Sequence, residues 1–166
     1  MRQDSSEKEG LKTMYSVFVS YAQPQLDWAT QLRKDLSNPA ILVYVAEHDL
    51  TPGDSLSSEI IRQIRVCDLF ILLWSEDAQL SHYVGKEVFL AKSEGKLIVP
   101  VLLAKAPSLP RELGDIKYLD IANDPARHRE WLHSHVTARA KSKKVSEVLT
   151  LGMLCFLAWL SLKGSE

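Results

Sequence analysis

Tyr83 and Glu87 lie four residues apart in the run YVGKE. On a helix that interval puts an aromatic ring and a carboxylate on one face, about one turn from each other. A carboxylate at the mouth of a site can stabilise positive charge that develops during a reaction, and a neighbouring ring can stack on a planar group or wall off water. Glu87 is therefore the first residue to ask about chemistry. Metal chemistry has no comparable footing, because His128, His133 and His135 sit on or beside a polar helical stretch and share no ligand spacing with a cysteine or an acidic cluster. The two cysteines, Cys67 and Cys155, are too sparse for a disulfide framework or a zinc site and suit a reducing cytosol.

The elements that must position this pair follow from hydrophobic periodicity. Leu69–Trp74 is an unbroken apolar run of strand length, as a strand buried on both faces requires, and residues 97–101 form a second such run. Between them Val84, Val88 and Ala91 repeat at helical spacing over 83–93, with Gly95 as the stop signal. Upstream, YSVFVSY at 15–21 is β-branched and aromatic, which predicts a first strand. A turn at 22–24 leads to a helix over 26–36, a second strand over 41–45, a loop over 47–54 marked by Pro52-Gly53, and a helix over 55–66. Downstream a proline-rich loop at 105–110 precedes a last strand over 116–121 and a helix around 125–138. Strands alternating with helices imply right-handed βαβ units, and hence an α/β fold of flavodoxin-like order: a five-stranded parallel sheet with helices on both faces.

In such a sheet ligands bind beyond the carboxyl ends of the strands where the strand order reverses, here between the first and third. Those ends are Ser20-Tyr21 and Trp74-Ser75, and the loop after the second strand and the helix after the third border the same crevice. A phosphoacceptor receiver domain shares the layout but needs clustered carboxylates there to hold magnesium, where this chain has Tyr21-Ala22-Gln23 and Trp74-Ser75. A flavodoxin needs a Ser/Thr/Gly loop to cradle the flavin phosphate, which Ala22-Gln23-Pro24-Gln25 does not supply.

From about residue 15 to about residue 135 the chain resembles a Toll/interleukin-1 receptor (TIR) domain. YSVFVSY matches the family's first box, and His48-Asp49-Leu50-Thr51-Pro52-Gly53 matches the second-box loop with His in the Arg place. Tyr83-Val84-Gly85-Lys86-Glu87 is similar to the WxxxE motif of TIR domains that cleave NAD+, with Tyr in the Trp place, and LIVPVLL stands where the fourth strand belongs. The resemblance implies an NAD+ nucleosidase with Glu87 as the catalytic carboxylate and no cofactor beyond NAD+ as substrate. It further implies substrate contacts from Tyr83, Ser75, Thr51 and the residues at the first box, Tyr21, Ala22 and Gln23, the last two standing where some relatives carry basic side chains. Asp49, Pro52 and Gly53 would serve a partner-binding loop, so that homo-oligomers or other TIR domains complete the site.

The bond at issue joins nicotinamide to ribose. The leaving group already carries a positive charge, so no general acid has to protonate it, and one carboxylate can hydrogen-bond the ribose hydroxyls and stabilise an oxocarbenium-like transition state. The bland alternative is an exposed helix carboxylate beside a packing tyrosine, in a TIR adaptor that only recruits other TIR domains. For Ser75 and Thr51 the corresponding alternative is an ordinary strand-end or turn hydroxyl.

The flanking segments bound the setting. Net charge is −1 over 166 residues, which offers nucleic acid no basic surface. Residues 1–12 are polar, carry no apolar signal region and read as a disordered lead-in, with the TIR domain over 13–138. Residues 139–144, RAKSKK, open a basic linker over 139–147. The uncharged apolar stretch 148–162 that follows is expected to be helical, and at 15 residues it falls short of the ~20 that span a bilayer comfortably. A basic cluster beside an apolar helix fits a membrane anchor with the TIR domain in the cytosol; the competing role is a buried or oligomerising helix.

Overall fold

The computed structural model describes residues 14–46, 56–103, 109–114 and 116–163. Strands β1 (Tyr15–Ser20), β2 (Ile41–Val45), β3 (Leu69–Trp74), β4 (Ile98–Leu102) and β5 (Leu119–Asp120) form one parallel sheet in the order β2-β1-β3-β4-β5. Helices α1 (Leu26–Leu36), α2 (Ser58–Val66), α3 (Glu76–Leu80), α4 (His82–Ser93) and α5 (Pro125–Lys163) connect and cover it. α1 packs with α5 and α2 with α4, so the sheet is a buried middle layer. β3, at its centre, is buried at every position, which is why its sequence is apolar without alternation. Phe18 fixes the pairing of the three strands on that side. Its ring stacks on Phe70 at 5.3 Å and on Tyr44 at 5.5 Å, the residues directly opposite it in β3 and β2.

The stop after α4 is made as the sequence indicates. Gly95 adopts φ 65°, its amide donates to Lys92 O, and the Lys96 amide reaches back to Ala91 O at 2.9 Å. This pairing satisfies the last carbonyls of the helix, and the left-handed conformation it needs is one that glycine adopts without a steric penalty.

Two expectations need correction. The last strand spans two residues rather than the whole of 116–121. Its brevity has a cause in β4, where Pro100 has no amide hydrogen to offer a ladder, and pairing with β5 begins only at Val101. A helix, α3, lies between β3 and α4 where none was expected; Ser75 caps it by accepting from the Ala78 amide, and Glu76 and Asp77 fill the first turn. One helix of 39 residues runs unbroken from Pro125 through the basic run and on through the apolar stretch. Among the described residues, no helix is long and apolar enough to cross a membrane.

Candidate active site

β1 and β3 are neighbours, so the ends of both strands open on the same rim, and α4 returns past it. α4 begins at Ser81, whose hydroxyl accepts from the Val84 amide at 3.3 Å. Its buried face consists of Val84, Glu87, Val88 and Ala91. Glu87 therefore occupies a place on the inward stripe where helical periodicity calls for an apolar side chain.

Glu87 has no solvent exposure, which excludes the alternative of a surface carboxylate. Ser20, the last residue of β1 and equally buried, donates from its hydroxyl to Glu87 Oε2 at 2.6 Å. Burial pushes the Glu87 carboxyl up to about 8, and the Ser20 hydrogen bond opposes part of that rise. At neutral pH the ligand-free site thus holds a proton on the acid, and an approaching cation favours its release. Ser20 is the partner that motif reading passed over. A hydroxyl at the carboxyl end of a central strand is a recognisable signal, yet nothing in the sequence says which acid it meets.

Tyr83 is half-buried one turn before Glu87. The Lys86 ammonium stands 5.6 Å from its ring centre, close enough for a cation–π contact. Ser75, also buried, reaches the same rim at the end of β3, but its oxygen already accepts the α3 capping bond, leaving its proton for another partner. Tyr21 and Ala22 are buried in the core, whereas Gln23 is exposed at the start of a short 3-10 turn, Gln23–Gln25. Gln25, not among the sequence candidates, closes the rim from the other side: its amide Nε2 donates to Asp77 Oδ2 at 2.9 Å, bridging the segments that follow β1 and β3. Asp49, Thr51, Pro52 and Gly53 lie outside the described residues. Among the described residues no cluster of histidine, cysteine and acidic side chains could hold a metal ion. Cys67 is buried with its thiol pushed up to about 11 by desolvation, which makes it a packing residue.

The family model for the TIR domain matches residues 17–134. The chain belongs to the TIR domain family. Its fold is similar to the TIR domain of the Toll-related receptor TRR-2 from Hydra magnipapillata, with a TM-score of 0.60 at 24% identity over 75% of this chain and 99% of that one. It is also similar, with a TM-score of 0.49 at 19% identity over 74% of this chain and 84% of that one, to the TIR domains of the activated Roq1 resistosome, which recognises the pathogen effector XopQ. No curated protein matches the sequence. In this TIR domain α4 carries the YVGKE run, with its acid turned inward to the end of the first-box strand.

Proposed function

We propose that this TIR domain hydrolyses NAD+ to nicotinamide and ADP-ribose, linear or cyclised, in defence or cell-death signalling, with Glu87 as the catalytic carboxylate. The observation that carries the reading is the desolvated Glu87 side chain held by Ser20 at the carboxyl end of β1. Burying an acid costs stability, and such sites are where function is sought first. In the reaction the bond between the ribose carbon and the pyridinium nitrogen breaks, and its electron pair leaves with neutral nicotinamide. Ionised Glu87 stabilises the sugar cation in a site of low dielectric, where its charge acts with little screening. Water then adds to the sugar carbon and gives up a proton, or a second atom of the same nucleotide adds in its place. Tyr83, one turn away, is placed to cover the departing ring, and the Ser75 proton is available to a substrate oxygen. Assembly with further TIR domains through the loop containing Asp49, Thr51, Pro52 and Gly53 would complete the site.

Incubation of the assembled protein with NAD+ and chromatographic resolution of the products tests this. Release of nicotinamide in step with an ADP-ribose product is expected. Persistence of NAD+ with well-folded, assembled protein would overturn it.

A second reading has an observation of its own. Leu80 and Phe89 are 85% and 70% exposed on the adjacent helices α3 and α4, flanking Gly85 and Lys86 in one shallow groove. Exposed apolar side chains of this size suit docking of another TIR domain, and a scaffold that acts by recruitment alone would need no more. Pull-down of TIR partners lost in Phe89→Glu, in a protein that never consumes NAD+, would favour it.

A further inference from the structure

The long helix α5 changes character at Lys143. Before that point Leu132, Val136 and Ala140 are buried, a stripe facing the sheet. Lys143 ends the stripe: its ammonium donates to Met14 O at 3.0 Å and to Asp68 Oδ2 at 2.8 Å, and Asp68 also accepts from the Ser16 amide at 2.8 Å. Met14 immediately precedes β1 and Asp68 precedes β3, so the helix leaves the domain at the amino-terminal end of the sheet. Ser20, Trp74 and the contact of Ser20 with Glu87 lie at the opposite end.

Past Lys143 the helix loses its sidedness. Val145, Val148, Leu149, Leu151, Met153 and Leu154 are each 58–67% exposed. At about 100° per residue they point to every side of the helix rather than along one stripe. A groove or a single partner helix covers one stripe and leaves the rest wet; a lipid phase covers all of it. The polar atoms agree with this. The Thr150 hydroxyl donates to Ser146 O at 2.9 Å within the helix, the arrangement that satisfies such a group in an apolar medium. No charged residue occurs in 148–162. Lys141 and Lys144 are exposed at the boundary while Lys143 is committed inward, which leaves two cations for anionic headgroups.

We propose that α5 beyond Lys143 inserts into an anionic lipid bilayer, and that its unbroken continuity with the domain holds the Ser20–Glu87 end of the sheet facing away from the membrane. The claim is insertion, since among the described residues no helix is long and apolar enough to cross. It does not depend on the catalytic reading, because it rests on the opposite end of the sheet.

Flotation of the full chain with vesicles of phosphatidylcholine and a minor fraction of phosphatidylglycerol tests the first half. Wild-type protein is expected in the floated fraction, and Leu149→Lys with Leu151→Lys, folded by circular dichroism, about a hundredfold less so. Failure of the wild type to float would overturn the proposal, and concentration-dependent sedimentation abolished by the same substitutions would show that copies of the chain cover the helix instead. Orientation is read with fluorophores on Lys117→Cys, ahead of β5, and Ala122→Cys, after it, in a Cys155→Ser background where the buried Cys67 does not react. A headgroup quencher is expected to quench the first label several-fold more than the second. Equal or reversed quenching would overturn the orientation.

Discussion

The hydroxyl of Ser20 and Oε2 of Glu87 approach to 2.6 Å across the gap between the end of β1 and the inner face of α4. This contact joins the first-box strand to the YVGKE helix. It is also where the protein sacrifices stability, because an acid with no solvent exposure is displaced from its ordinary protonation range. Glu87→Gln preserves shape and hydrogen bonding while removing the ability to ionise. Nicotinamide release is expected to fall by two orders of magnitude or more, with circular dichroism unchanged. Turnover equal to wild type would remove Glu87 from the reaction.

The sign of the pH dependence follows from the same shift. Glu87 titrates near 4.5 when unfolded and at about 8 in the native protein. Between those values the unfolded chain has lost the proton that the native protein keeps, so this group's contribution to stability falls as pH rises through the window and levels off above about 8. At about 1.4 kcal/mol per unit the full effect is a few kcal/mol. Urea unfolding at about pH 5 and about pH 9 should show wild type losing ground that Glu87→Gln keeps.

Activity runs the other way. The proposed reaction would need the ionised acid, so kcat/KM is expected to rise with pH toward a plateau above about 8. Ser20→Ala removes a hydrogen bond that favours ionisation, and the rising limb should move to higher pH, with a stability cost of about 1 kcal/mol. A profile that drops in height without moving along the pH axis would make Ser20 a packing residue only.

Much of this architecture was legible because its signals are local and repeated. Leu69–Trp74 reads as a buried strand by being apolar throughout, and Gly95 ends α4 by the conformation that glycine alone takes easily. The strand order followed from alternation of element types. What escaped depended on partners distant in sequence. Ser20 meets Glu87 across 67 residues and Gln25 meets Asp77 across 52, separations over which periodicity says nothing. β5 was overestimated because its length is limited by Pro100 in the neighbouring strand. α3 escapes notice although Ser75, Glu76 and Asp77 form a helix-start signature, because the whole helix is only five residues long before α4 takes over. Nor does the basic run 139–144 signal that one of its charges, Lys143, holds the helix to the sheet.

That last attachment predicts a measurable coupling. Lys143 and Asp68 have side chains 27% exposed, so their ion pair is partly shielded from water and salt. Lys143→Met keeps most of the apolar stem but releases Met14 O and leaves Asp68 with Ser16 alone. A loss of about 1 kcal/mol is expected, equivalent to a few degrees in Tm for a domain of this size. A double-mutant cycle with Asp68→Asn separates pairing from packing, because the coupling vanishes when either partner is already gone. The consequence reaches past stability. With the pair broken, the first amides expected to lose hydrogen-exchange protection are those of α5 following Ala140, while β1 and β3 stay protected. If protection instead fails across the whole sheet, Lys143 contributes to the core rather than fixing the direction in which the helix leaves it.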